Sequence, residues 1–179
     1  DAYVLKPNAG YGGEGIVVIT GRAEGEFRTA EGRTMSLHEI AEHCEDILDG
    51  MYAIHHRRDI AFLEQRVVPH ACFAPLNPAG LPDIRIVVFN LVPVMAMLRL
   101  PTRESGGRAN LHLGGIGLGL DLAKGMTTFA VQRNVRITKL PNGQDPAGFR
   151  IPHWDDLLLI AARIQQITNI GFLGVDLTI

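Results

Sequence analysis

Short stretches of alternating or continuous apolar residues dominate this chain, and helical spacing occurs in only two places. Residues 2–6 predict a strand. A glycine-dense loop follows, from Gly10 to Gly15, and then Ile16, Val17, Val18 and Ile19, β-branched throughout, predict a second strand. The polar run from Glu24 to Arg33 reads as a hairpin tip. Ser36 followed by Glu39 is a capping-box pattern, and apolar residues then recur at Leu37, Ile40, Ala41, Cys44, Ile47, Leu48 and Met51, with Gly50 near the stop. This predicts the first helix. Strands are expected at 60–68, 83–89 and 92–100, the last two joined by a tight turn near Asn90. Residues 103–125 are rich in glycine around a short apolar stretch, Ile116–Leu122, and 128–139 read as one further strand. Pro152 opens a second helix, with Asp155 and Asp156 in its first turn and one apolar face of Leu157, Leu158, Ala161, Ile164 and Ile167. Residues 172–179 close the chain as a strand. Strands that follow one another imply antiparallel pairing, so the fold class is α+β: a small βαβ-like lobe over 1–69 and a larger antiparallel sheet with a helix over 70–179.

Alternation also sorts chemistry onto faces. In 83–89, Ile84, Ile86 and Val88 share one face, and Asp83 and Arg85 share the other with Val87 and Phe89. In 172–179, Leu173, Val175, Leu177 and Ile179 share a face, and Asp176 lies opposite with Phe172 and Thr178. Either that second face is open to solvent, or Asp176 has a partner or a metal.

Gly10, Gly12 and Gly15 satisfy the spacing of a dinucleotide fingerprint, but that motif needs a helix after the loop and here a strand follows. A Walker A loop would need Gly-Lys-Ser/Thr, which is absent. What remains is a flap between antiparallel strands. It can lay backbone N–H groups over phosphate oxygens or serve as an ordinary hairpin loop. Lys6 and Pro7, directly before it, make the phosphate reading more specific.

Composition narrows the classes. The 179 residues are 46% hydrophobic, enough for a packed core, and Lys+Arg 17 against Asp+Glu 19 gives a net charge of -2, without the basic excess expected of a nucleic-acid binder. From Arg99 to Lys139, however, seven basic residues (Arg99, Arg103, Arg108, Lys124, Arg133, Arg136, Lys139) face two acids, Glu104 and Asp121. That excess suits an anionic ligand or a solvated basic face. Two cysteines cannot form a disulfide framework, which points to a cytoplasmic setting, and no apolar run approaches the roughly 20 residues of a membrane helix. His38 and His43, five apart on a helix, cannot share a metal as an i, i+4 pair does and are expected to be solvated. Cys44 and Trp154 are expected to pack in cores. The chain begins at Asp1 beside one apolar run and stops at Ile179 within another, so it is expected to be a piece of a longer protein.

Five segments in order resemble the ATP-grasp superfamily: Val4–Pro7 with the flap Gly10–Gly15; Phe62–Val67; Asp83–Arg85; Arg108–His112 with Gly114 and Gly115; and Gly174–Asp176. With residues 151–154 ahead of the second helix, they look most like alpha-L-glutamate ligase-like proteins, relatives of the ribosomal-protein glutamate ligase. The resemblance implies an ATP-grasp fold and roles for these residues. Lys6 would meet the α-phosphate and adenine, and Gly12, Gly13 and Gly15 would close over the β- and γ-phosphates. Glu64 and Gln65 would form the adenine hinge with the backbone of Arg66 and Val67. Asp83 would lie near the ribose. Arg85 and Arg108 would be catalytic, facing the reacting phosphate and carboxylate, with Asn110 at the triphosphate. Asp176 would be the first Mg²⁺ ligand. The implied reaction is carboxylate–amine ligation through an acyl phosphate, with ATP, a carboxylate substrate and an amine acceptor as partners and Mg²⁺ as cofactor. The family's further Glu and Asn metal ligands would follow Ile179, so this piece alone is expected to be inactive. A sugar-transfer-associated ATP-grasp protein with a different acceptor and a non-catalytic nucleotide-binding or assembly module are the alternative readings.

Overall fold

A computed structural model of the protein describes residues 2–179. Two compact units follow one another, the first ending at Val68 and the second spanning Pro69–Ile179.

The first unit is one antiparallel sheet and one helix. Its strands are β1 (Tyr3–Pro7), β2 (Val17–Ala23), β3 (Glu26–Thr29), β4 (Thr34–Met35) and β5 (Ala61–Gln65), in the spatial order β4-β3-β2-β1-β5. The helix α1 (Leu37–Leu48) lies in sequence between β4 and β5, giving the strand–helix–strand order with antiparallel pairing throughout. The capping box forms: Ser36 Oγ accepts from the Glu39 N–H and the Glu39 carboxylate accepts from the Ser36 N–H. Leu5, Val17, Ile19, Met35 and Ile47 make the core, with Ile40 and Cys44 packed against it. Leu37, Leu48 and Met51 are exposed, so only part of the predicted apolar stripe is buried. The run 24–33 is more than a hairpin tip. β2 continues to Ala23, and β3 and then β4, the edge strand, extend the sheet through turns at Gly25 and Gly32, both at positive φ.

The second unit is a six-stranded antiparallel sheet in the order β10-β9-β8-β7-β6-β11. Its strands are β6 (Asp83–Phe89), β7 (Val92–Leu100), β8 (Ile116–Asp121), β9 (Met126–Gln132), β10 (Val135–Ile137) and β11 (Phe172–Leu177), with α2 (Trp154–Gln166) packed on one face. The expected single strand at 128–139 is a hairpin, β9 and β10, turning at Arg133 and Asn134, both at positive φ. Ile84, Ile86 and Val88, with Leu98, Leu118, Ala130 and Val175, face the core beneath α2, as alternation predicts. Trp154 is buried, lies against Gly125 and donates its indole N–H to the Leu122 carbonyl at 2.7 Å. Ile167, placed on the apolar face of α2 by spacing, is exposed because the helix ends at Gln166. Among the described residues no helix is long and apolar enough to cross a membrane.

Gln165, buried near the end of α2, fixes that helix to the β6–β7 turn. Its side-chain oxygen accepts from the Leu91 N–H at 2.5 Å and its amide donates to the Ile170 carbonyl at 2.8 Å. Asn90 and Leu91 both hold positive φ, and Leu91 pays for that geometry through the anchored N–H. Replacing Gln165 by Met keeps the volume and removes these bonds and a third, longer one to the Val88 carbonyl at 3.4 Å. Denaturant unfolding should show a loss of about 1–3 kcal/mol with an unchanged m-value.

Candidate functional site

In the first unit, β1 delivers Lys6 to the base of the flap. Leu5 and Pro7 turn into the core, so Lys6 takes the opposite, half-exposed face. Its Nζ lies 2.7 Å from Glu64 on β5 and 5.1 Å from the Phe62 ring centroid. The predicted nucleotide lysine and the predicted hinge acid are thus brought together. Gln65 pairs across from Tyr3, and Val67 is half exposed beyond the strand, where the Arg66 N–H donates to the Ala2 carbonyl at 3.2 Å.

The flap is anchored at its root and along one side. The Ala9 N–H donates to both Asp59 carboxylate oxygens (3.1 and 2.8 Å), the Asn8 N–H to Ile60 (3.0 Å) and the Tyr11 N–H to Tyr52 (3.3 Å). Gly12, Gly13 and Gly15 all hold positive φ. A Cβ on Gly15 would sit 2.6 Å from the Tyr52 ring, so glycine is required there both by φ and by space.

His43 corrects the expectation of a solvated helix residue. It is half-buried, with Nε2 2.8 Å from the Gly15 carbonyl and Nδ1 3.3 Å from the Tyr52 hydroxyl. The carbonyl can only accept, so Nε2 carries the proton and Nδ1 accepts from Tyr52. Burial, with the charges of Asp46 and Glu14, pushes the Tyr52 phenol above its ordinary value and keeps it a donor. His38 is exposed and pairs with Glu42, as expected of a solvated residue. Burial raises the Cys44 and Cys72 thiols, so neither is a poised thiolate.

In the second unit, the sheet register assembles a charged ladder on the face away from the core. Asp176 on β11 lies across from Arg85 on β6, and Asp83 on β6 lies across from Arg99 on β7. Arg85 makes a bidentate pair with Asp176 (2.6 and 2.6 Å) through Nε and Nη2. Arg99 makes a bidentate pair with Asp83 (2.5 and 2.5 Å) and reaches over β6 to Asp176 at 2.8 Å. Asp176 therefore has partners, and its face is not merely solvated. Arg99, only 7% exposed, was grouped with the basic segment by sequence alone, and its bridging role was missed.

Arg108 and Asn110 stand on the β7–β8 connection. Ser105, fully buried, organises it: its Oγ accepts from the Thr102 N–H at 3.0 Å, and the Arg108 Nε donates to the Ser105 carbonyl at 3.0 Å. The Asn110 carbonyl accepts from Leu113 and Gly115 (3.2 and 3.1 Å), and a Cβ on Gly115 would lie 2.9 Å from that oxygen. A hollow of about 550 Å³ behind this connection, lined in part by Leu76, Pro78, Arg103, Glu104 and Gln132, contains none of the predicted site residues.

The Mg²⁺ expectation can be tested against the donors. Both oxygens of Asp176 and both of Asp83 face guanidinium groups. Among the described residues no group of three or more His, Cys, Asp or Glu could hold a metal ion. These residues as arranged do not fit a magnesium cage, which needs several oxygen ligands in near-octahedral order.

The two carboxylates differ. At Asp83 burial raises the pKa and outweighs the hydrogen bond and charge of Arg99. At Asp176 burial also acts upward, but the Arg85 hydrogen bond and the charges of Arg99 and Arg85 prevail and hold it below its ordinary value. Acidification therefore neutralises Asp83 first. The contribution of Asp176 to stability, full above the pKa of an unfolded aspartate, is lost only as pH falls through its lowered value. Carboxyl-carbon NMR titration should give Asp83 the higher midpoint, and the reverse order would contradict burial as the dominant influence there.

A family model described as sugar-transfer associated ATP-grasp matches residues 1–179. No curated protein and no solved structure matches the chain. The match names sugar-transfer association, not the glutamate ligase-like branch, and its length covers both units described above. The chain belongs to the ATP-grasp superfamily, in its sugar-transfer associated family.

Proposed function

We propose that this protein is an ATP-dependent carboxylate–amine ligase that activates its carboxylate as an acyl phosphate. ATP-grasp proteins generally catalyse ATP-dependent C–N ligation and use ATP with Mg²⁺. The observation that carries the reading is Lys6, paired with Glu64 at the root of a flap in which Gly12, Gly13 and Gly15 hold positive φ. Lys6 contributes a point charge for phosphate, and Gly12, Gly13 and Gly15 supply N–H groups over the terminal phosphates. Glu64, Gln65 and the backbone at Val67 form the adenine hinge, and in the second unit Asp83 and Asn110 are proposed nucleotide contacts. Arg85 and Arg108 neutralise the carboxylate and the phosphoryl oxygens between which charge develops.

The chemistry balances without a further reagent. A carboxylate oxygen takes the γ-phosphoryl group and ADP leaves. The amine then attacks the acyl carbon, phosphate departs and the nitrogen loses a proton. Asp176 would serve as a metal ligand only by exchanging Arg85 or Arg99 for the ion. The family description favours an acceptor met in sugar transfer over a glutamate-specific reaction.

Isothermal calorimetry with Mg·ATP tests this reading. Lys6→Ala should weaken binding about tenfold or more, roughly 1.4 kcal/mol, with the thermal transition little changed because an exposed ion pair contributes little. Absence of ATP binding by the folded wild type would leave a non-catalytic module as the reading.

A further inference from the structure

The ladder of Asp83, Arg85, Arg99 and Asp176 does not continue across the sheet. Arg85 lies across from Met97 and Arg99 from Gly117; further on, Met97 meets Gly119 and Gly117 meets Val131. Charge thus changes to apolar surface within one strand spacing, on the same face. This face is not core: Leu98, Leu118 and Ala130 occupy the other side. A solvated sheet face would carry polar residues at these positions. Instead there is a groove of about 390 Å³, walled by Met95, Met97, Leu111, Phe129 and Val131. Met95 and Phe129 are about half exposed, at 52% and 45%.

The groove is floored by absent side chains. A Cβ on Gly119 would lie 2.9 Å from Thr128 Oγ1 and 3.1 Å from the Phe129 ring, and one on Gly117 would lie 3.3 Å from Leu111. Larger residues on β8 would fill the space. The volume lies in the range of small-molecule sites, which combine apolar walls with a few polar groups at one end. Arg85 does not line the groove but lies directly across from Met97, which does; its pair with Asp176 uses Nε and Nη2 and leaves the N–H groups of Nη1 for a second anion. At the other end Arg136 stacks on Phe129, 5.5 Å from its centroid, and props that wall.

We infer that this groove binds the apolar body of the carboxylate substrate, with the carboxylate at Arg85. The substrate class is a monocarboxylic acid with an aliphatic or aromatic tail, and not a dicarboxylate such as glutamate. The inference rests on the ligase reading for the role of Arg85.

The test uses the protein labelled with ¹³C at the methionine methyls. Met95 and Met97 report the groove, and Met35 and Met51, in the other unit, serve as controls. Octanoate should shift Met95 and Met97 saturably and leave the controls unmoved. Affinity should rise about fourfold per methylene from butanoate to octanoate, the value of one buried CH₂. Octanol, without the carboxylate, and glutamate, without the tail, should each bind at least tenfold more weakly than octanoate. Phe129→Asp and, independently, Met97→Gln should weaken octanoate about tenfold or more while Mg·ATP binding stays at the wild-type level. No response at Met95 and Met97, a response independent of chain length, tighter binding of glutamate, or concentration-dependent shifts without added acid, which would mean a second copy covers the groove, overturns the inference. Octanoate binding without any ATP binding would instead retain the groove and remove the ligase reading.

Discussion

Arg99 is the residue on which the polar face of the larger sheet depends. One guanidinium, nearly out of solvent, spans two carboxylates on two different strands, Asp83 and Asp176. Taking such charges out of water costs several kcal/mol each, and only their mutual hydrogen bonds offset it. Loss of Arg99 would leave Asp83 largely buried without its partner, whereas Asp176 would keep Arg85. Because Asp176 is shared, Arg85 is oriented as well, and its unused edge is turned away from the pair. Arg99 thus positions the groups that the ligase reading places at the reacting carboxylate without itself being assigned to substrate.

Flap and ladder solve opposite problems. The flap turns tightly, so it uses positive-φ glycines and is held from outside by Asp59, Tyr52 and His43. The ladder must keep charges fixed, so it uses bidentate pairs on adjacent strands. Beside it, Gly117 and Gly119 remove side chains from β8 and turn a sheet face into a trough. Glycine acts in one place through its dihedral freedom and in the other through its lack of volume.

Much of this was legible in the sequence. The capping box at Ser36 and Glu39, the alternating faces of β6 and β11, and the α+β class all follow from local periodicity. Arg99 was not legible, for a specific reason. A regular hairpin turning at Asn90 and Leu91 would set Asp83 opposite Leu98. A bulge at Val94, next to Pro93, which has no N–H for the ladder, shifts the register by one and brings Arg99 opposite Asp83. His43 was missed because its partner, the Gly15 carbonyl, is remote in sequence and invisible to helical spacing. The second hairpin, β9 to β10, was hidden by Arg133 and Asn134, which turn at positive φ without a glycine.

The central claim is that ATP is held beneath the Gly10–Gly15 flap beside Lys6. Amide hydrogen exchange with and without Mg·ATP tests it most directly, because the flap's glycine N–H groups are the proposed phosphate donors. The account predicts slowed exchange at Gly12, Gly13 and Gly15, with the turn at Gly25 in the same unit unchanged. A protein that binds ATP while its flap amides exchange at the unliganded rate would contradict it.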